Sequence, residues 1–468
     1  MQFKFKNLGL LDEADIQMAD LTVICGDNNT GKTYATYAIY GFLREWKELL
    51  HHIILRDITN NTIPHEKYEF DLKKSFSGKL NTYLSEVAIK YKSLLPMVFA
   101  SKANFFDHCE IKFSIEEKTD FHLSHFQRSV RAGSSEKVLA TLNKEPNSDI
   151  LKVLITEKFF SRRDINYFVA DAIADIVFAP YLPRIHISSA ERTGASIFRK
   201  ELEFARTRAL KAINEMNSKE LQSPFALFQK IATDSAYAWP VEDNVDFVRE
   251  LENIGKKTSE LAKSNPKILA AFDDVINGTY KVIKEIGLVF QCKAAGKQRF
   301  TMNEASSCVR ALLDVGFYLR CKAIPGDLFI IDEPELNLHP KNQRALARLI
   351  VRLVNAGIKI FITTHSDYLI KEFNTLIMLN QRTEHTRRIQ QQYKYEDAEL
   401  LDPNRVQLYI TGTKLKKPSE GEGKRSIRIN TLNPAKISPD CGIEVSTFDE
   451  TIDIMNTIQN ELLYGSEL

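Results

Sequence analysis

Four short runs of the chain are apolar almost without interruption: Leu21 to Cys25, Arg184 to Ile187, Leu328 to Ile331 and Ile358 to Ile362. Each gives way to polar residues or glycine. Runs this short and this unbroken predict strands buried on both faces, as in parallel sheets covered by helices. Helical periodicity follows two of them. After Lys32, apolar residues recur at Ala35, Ile39, Phe42, Leu43, Trp46 and Leu50. After Pro340, which suits a first helical turn, Leu346, Leu349, Ile350, Leu353 and Val354 repeat the stripe until Gly357 ends it. The recurring unit is strand, turn, helix, which makes the fold class α/β.

Elsewhere the pattern is mixed. Glu110 to Glu116 alternates like a strand, and Tyr280 to Cys292 with Gln298 to Met302 reads as hairpin strands. Ile197 to Met216 and Val245 to Leu261 read as charged helices, either a short inserted arm or two surface helices packed on the core. Beyond Asn380 strand signals weaken, and Lys414 to Lys436, mixing Gly, Pro and Ser with Lys and Arg, reads as a loop or accessory segment. Thr447 to Glu450 fits a capping box that opens a helix to about Leu463, with Ile452, Met455 and Leu462 on one stripe. No repeat stands out at periods of roughly 20 to 50 residues, so a solenoid is not expected.

Composition narrows the classes. With 468 residues the chain is long enough for two to four domains, at roughly 100–200 residues each. Its 63 Lys and Arg balance 61 Asp and Glu, so any nucleic-acid contact must come from a local patch. The six cysteines form no CxxC pair and several lie in apolar runs, which points to reduced thiols and a cytoplasmic location. The first residues lack a signal-like apolar core, and no stretch approaches about 18 consecutive apolar residues, so no membrane partner is expected.

Three of the strand ends carry candidate chemistry. Gly26-Asp27-Asn28-Asn29-Thr30-Gly31-Lys32-Thr33 fits GxxxxGK[ST], after a strand and before a helix. Glycines at Gly26 and Gly31 let the backbone wrap a phosphate, and the amides of Asn28, Asn29 and Thr30 point at it. Lys32 neutralises it, and Thr33 offers a magnesium ligand. Asp332 and Glu333 close the run from Leu328. There Asp332 suits the metal ion and Glu333 suits proton abstraction from an attacking water. His365, after Phe361 to Thr364, lies where a side chain reaches a terminal phosphate. Ser306 and Ser307 open a helix with Val309, Leu312 and Leu313 at helical spacing, and capping alone accounts for them.

Together these residues resemble the ABC-type ATPases of the SMC, Rad50 and OLD branch: GDNNTGKT, a long insertion, NEASS, LFIIDEPELNLHP, then ITTHS. The resemblance implies an ABC-type P-loop ATPase with a mixed, largely parallel central sheet, an inserted short helical arm and a small C-terminal accessory region. It makes Asp332 and Glu333 the Walker B pair, Leu336 to Pro340 the D-loop and His365 the switch histidine. Ser306 and Ser307 stand in for the signature motif, without the Gly-Gly of the transporter consensus, and no Q-loop glutamine can be placed. The segment Ser188-Ser189-Ala190-Glu191-Arg192-Thr193-Gly194 is similar to one in bacterial anti-phage defence ATPases, the Septu and retron-associated PtuA family first and PARIS AriA next. Read from the residues alone, Arg192 after a buried strand is a surface salt-bridge residue.

On this resemblance the chain divides into 1–195, ATPase lobe I with a β-rich insertion, 196–276, the helical arm, 277–380, lobe II, and 381–468, the C-terminal region. The cofactors implied are ATP and Mg2+. The partners implied are further copies of the chain, in ATP-sandwich dimers and a higher assembly such as a hexamer, and a separate effector nuclease, of HNH type first and TOPRIM type second. Nucleic acid is a further candidate partner. Too little chain follows Ile377 for a TOPRIM domain, and the ten His form no HNH-like cluster, so no nuclease site is expected here. A RecF- or Rad50-like repair ATPase is the alternative, with Lys414 to Arg428 as its only basic candidate for DNA.

Overall fold

The computed structural model describes residues 1–59, 67–117, 125–131, 138–156, 162–199, 237–294, 296, 298–416, 426–444 and 454–462. Nine strands form the central sheet: β1 (Gln2–Leu8), β2 (Leu11–Gln17), β3 (Leu21–Cys25), β4 (Glu110–Ser114), β5 (Ile185–Ser188), β6 (Leu328–Asp332), β7 (Lys359–Thr364), β8 (Val406–Lys416) and β9 (Ile427–Pro434). Their order is β4-β1-β2-β9-β8-β3-β7-β6-β5. The block from β8 to β5 is parallel throughout, whereas β1 pairs antiparallel with β2 and β4, and β8 with β9. The expected α/β class with a mixed, largely parallel sheet is what the chain adopts.

Side-chain alternation explains why these runs are apolar at successive positions: both faces of the sheet are covered. Ile24, Leu328, Ile330 and Phe361 face one core, while Leu21, Val23, Phe329, Ile331, Ile360 and Ile362 face the other. Helix α1 (Lys32–Thr59) covers the first face, burying Ala35, Ile39, Phe42, Leu43, Trp46 and Leu50, all of the predicted stripe. Along the chain follow α2 (Arg192–Ile197), α3 (Trp239–Arg249) and α4 (Ser307–Ala311), and the second face is covered by α5 (Leu313–Cys321), α6 (Pro340–Asn355) and α7 (Asp367–Leu379). Leu346, Leu349, Ile350 and Leu353 of α6 are at most 2% exposed. Each such burial stabilises by about 1.5–3 kcal/mol, so a charge at Ile350 would detach the helix. His339 caps α6, its Nδ1 accepting from the Lys341 amide at 3.2 Å, and Gly357 ends the turn at φ 89°.

Two smaller antiparallel sheets flank this body. Lys67–Asp71, Ile150–Ile155, Val138–Lys144 and Phe126–Arg131 form one, and Gly278–Ile283, Gly287–Cys292 and Arg299–Thr301 the other; the stretch expected as a single strand from Tyr280 to Cys292 turns back on itself, and its second half takes the expected pairing with Arg299–Thr301. The Val245 to Leu261 stretch is not one charged helix. It breaks into α3, Leu251–Ile254 and Glu260–Ser264, with Val245, Phe247, Val248 and Leu251 buried, because its apolar positions fit the core better than solvent. Most of Ile197 to Met216 lies outside the described residues.

The Lys414 to Lys436 reading also changes. Val406–Lys416 and Ile427–Pro434 are strands, and β8 pairs in parallel with β3, the strand that leads into Gly26. Residues 447–450 lie outside the described residues. Residues 454–462 are helical, with Ile454, Met455, Ile458 and Leu462 all more than half exposed. No helix among the described residues is long and apolar enough to cross a membrane.

Candidate functional site

Parallel register sets the site. Thr364 of β7 lies beside Cys25 of β3, and Asp332 of β6 lies beside Thr363 of β7, so three carboxyl-terminal strand ends open at one edge. This is where ligands bind in open α/β sheets. From β3 the chain turns through Gly26, at φ 131°, Asn29, at φ 58°, and Gly31, at φ 98°. A Cβ on Gly31 would come within 2.6 Å of Leu11 Cγ, and one on Gly26 would strike the Thr411 side chain of β8. Both glycines are therefore demanded by packing as well as by backbone conformation. Thr30 Oγ1 donates to the Asp27 carbonyl at 2.7 Å, closing the loop ahead of α1.

Lys32 is 6% exposed, and its Nζ donates to the carbonyls of Gly26 at 3.0 Å and Asp27 at 2.6 Å. Burial lowers its pKa, while the carboxylates of Glu333 and Asp332 raise it, which places all three in one electrostatic neighbourhood. Asn28, Asn29 and Thr33 are exposed. Asp332 is 3% exposed and takes a hydrogen bond from Thr363 Oγ1. Burial pushes its pKa up to about 6.

Glu333 adopts φ 49°, uncommon for a residue with a side chain. Its amide donates to the Thr363 carbonyl at 3.1 Å and to Thr363 Oγ1 at 3.2 Å, so one threonine holds both acids. His365 Nε2 lies 3.4 Å from Glu333 Oε1. Glu335 fixes the histidine from below. Its Oε1 accepts from the His365 amide at 2.7 Å and from Thr364 Oγ1 at 2.8 Å, and burial raises its pKa. Ser366 caps α7, accepting from the Leu369 amide at 3.2 Å.

Lys32, Asp332, Glu333 and His365 are thus brought together. Ser306 and Ser307 are not: among the described residues no hydrogen bond or ion pair ties either to the Gly26 to Thr33 loop. Both are exposed, and Ser306 caps α4, accepting from the Val309 amide at 3.5 Å. Arg192 is no surface salt-bridge residue. It is fully buried, and its guanidinium reaches the main chain of Asp332 and Glu333. Sequence reasoning also misses Thr363 and Glu335, whose partners are set by register, and Tyr37, whose hydroxyl lies 3.4 Å from Glu191 Oε2. Spacing after the acidic pair is the one signal that pointed toward Glu335.

Among solved structures the chain is similar to an SMC head bound to the C-winged helix domain of ScpA, at 12% identity and TM-score 0.33, over 92% of this chain and 97% of that one. It is also similar to an SMC head domain with an extended coiled coil bound to the C-terminal domain of ScpA derived from Pyrococcus furiosus. There identity is 11% and the TM-score 0.32, over 98% of both chains. An SMC head domain from Thermotoga maritima gives 8% identity and TM-score 0.29, over 93% and 98%. Scores this low carry no functional inference. No curated protein matches the chain. Residues 1–370, which hold Lys32, Asp332, Glu333, Glu335 and His365, match the AAA ATPase domain family, and the chain belongs to that family.

Proposed function

We propose that the chain is an ABC-type, SMC- and Rad50-like ATPase that hydrolyses ATP with Glu333 as general base. The convergence of Lys32, Asp332, Glu333 and His365 at three adjacent strand ends is the observation that supports it most. Lys32 exchanges the Gly26 and Asp27 carbonyls for phosphate oxygens, and the Gly26 to Gly31 amides, with those of Asn28, Asn29 and Thr30, wrap the phosphates. Glu333 takes the proton of the attacking water. His365 holds the Glu333 carboxylate at its Nε2 side, and Glu335 holds His365 through its amide.

The residues present suit Mg2+. Thr33 and Asp332 offer oxygen only, the donor a hard cation takes, and Asp332 is a buried carboxylate that gains from a cation beside it. Among the described residues no group of three or more His, Cys, Asp and Glu is placed to hold a metal ion by itself. Mg2+ is commonly held by one or two side chains plus substrate phosphates. Bound there, the ion would neutralise charge on the phosphate oxygens.

The site is composite in this reading, with Ser306 and Ser307 of one subunit facing the nucleotide of another. Their exposure in a second lobe, apart from the Lys32 loop, favours a contact between copies. The chain then serves as the regulatory subunit of a bacterial anti-phage defence complex, resembling Septu and retron-associated PtuA, and scaffolds a separate nuclease or toxin in the cytoplasm. The alternative repair reading needs a basic groove, yet Lys414 and Lys416 both pair with Glu13, at 3.0 and 2.6 Å. Copurification with the product of the neighbouring gene, with nuclease activity assayed with and without ATP, tests the role. A nucleotide-dependent nuclease complex is expected. No complex, with steeply salt-dependent DNA binding by the chain alone, would favour repair.

A further inference from the structure

Among the largest fully buried side chains two are charged, Lys144 and Arg192, and Arg192, at 0% exposure, is the one that meets the Asp332 and Glu333 main chain. A guanidinium taken out of water costs several kcal/mol unless its N–H groups find acceptors. Here Nε donates to the Ala311 carbonyl at 2.7 Å, Nη1 to the carbonyls of Ser189 at 3.0 Å and Asp332 at 2.5 Å, and Nη2 to that of Glu333 at 2.6 Å. All four acceptors are main-chain oxygens, drawn from the end of β5, the end of β6 and the end of α4. Asp314, the principal charge favouring the cation, is itself engaged by Ser188 Oγ at 2.5 Å, Asn244 Nδ2 at 2.7 Å and the Val315 amide at 2.8 Å.

The Glu333 main chain is therefore gripped on both sides. Thr363 holds its amide, and Arg192 holds its carbonyl and the one before it. A left-handed φ at a residue with a Cβ is unfavourable by roughly 1–2 kcal/mol and persists only where the surroundings impose it. Ala311 is the last residue of α4, the helix that begins at Ser307. One rigid, planar fork thus spans the turn that aims Glu333 and the helix whose start carries Ser306 and Ser307. Lysine has one ammonium on a flexible stem and cannot reproduce that span.

We propose that Arg192 is a positioning residue: it locks the Glu333 turn and joins it to α4, so that the base is aimed when α4 is seated. The proposal rests on Glu333 being the base. Arg192→Lys and Arg192→Gln, checked for folding by circular dichroism and melting, are compared with Glu333→Gln for ATP affinity, kcat and KM. Folded Arg192→Lys should lose about 10–10² in kcat, the worth of a misplaced catalytic group. Its ATP affinity should stay within about twofold. In the Glu333→Gln background the same change should slow residual hydrolysis less than about threefold, because both act on one step.

Unchanged kcat in Arg192→Lys beside a slow Glu333→Gln overturns the clamp while leaving the base in place. Losses that multiply in the double variant overturn it too. Full-speed Glu333→Gln removes the base, and the clamp with it. If neither Arg192 variant folds, hydrogen exchange on the wild-type protein decides. Amides of Cys308 to Leu312 and of Asp332, Glu333, Glu335 and Leu336 should gain protection together when a non-hydrolysable ATP analogue is added. Protection of one segment without the other overturns the proposal.

Discussion

Asp332→Asn should stabilise the protein when nucleotide and magnesium are withheld, and the gain should depend on pH. The side chain is 3% exposed, and burial moves its pKa from 3.8 to about 6. At 1.36 kcal/mol per pKa unit, a shift of about two units corresponds to about 3 kcal/mol. A carboxyl whose folded pKa is raised binds its proton more tightly in the folded state. Its favourable contribution is complete below the unfolded value near 4 and is lost as pH climbs through about 6. At pH 7.5 the wild type therefore holds an ionised group that folding disfavours. Asparagine keeps an oxygen for the Thr363 hydroxyl and carries no charge. For 468 residues, at about 2 cal/mol/K of unfolding entropy each, 3 kcal/mol is a rise in Tm of about 3 °C. Scanning fluorimetry in EDTA at pH 7.5 and 4.5 reads it directly. At pH 4.5 the gain should shrink to about a third, because the wild-type carboxyl is then mostly protonated when folded. A lower Tm for the variant at pH 7.5, or an identical shift at both pH values, would show that no buried charge at Asp332 destabilises the folded protein.

Glu335→Ala leaves the His365 amide and the Thr364 hydroxyl without their acceptor. It should cost about 1–3 kcal/mol by urea denaturation and lower kcat more than ATP affinity. Gly26→Ala meets both a positive φ and the Thr411 side chain, so ATP binding should be lost in an isothermal titration, with stability reduced by about 1–3 kcal/mol. Lys32→Ala and Ser307→Arg subunits, each inactive alone, should regain hydrolysis when mixed if Ser307 faces the nucleotide of another copy; verified mixed oligomers without activity would contradict that. Truncation after Glu444 keeps buried Ile443 against Asn374 of α7 and should leave ATP binding intact, while sedimentation reports whether the larger assembly is lost.

The candidate site was legible because its information is local. A P-loop needs glycines, a lysine and a threonine at fixed spacing between a strand and a helix, and all of that lies within Leu21 to Leu50. Asp332, Glu333 and His365 were legible for the same reason, as polar residues closing apolar strands. Arg192 was not: a charge after a strand reads as surface, and only the meeting of α2, α4 and β6 encloses it. Thr363 and Glu335 depend on the pairing of β6 with β7, which no single segment encodes. Strands β8 and β9 were missed although they sit in the middle of the sheet order, because polar residues interrupt β8 and its far end runs into solvent. Of Thr413 to Lys416 every residue is exposed, and Ile410 and Gly412 are only half-buried, so their pattern lacks the unbroken apolar run that marked β3, β6 and β7.

If Glu333 acts as the base at a phosphate site that Lys32 holds, ATP binding and turnover measured side by side must separate Lys32→Ala from Glu333→Gln. Lys32→Ala should lose ATP binding. Glu333→Gln should bind ATP as the wild type does and hydrolyse it about 10²–10⁴ times more slowly, the usual worth of a general base. Equal loss of affinity in the two variants, or wild-type turnover in Glu333→Gln, would contradict the assignment.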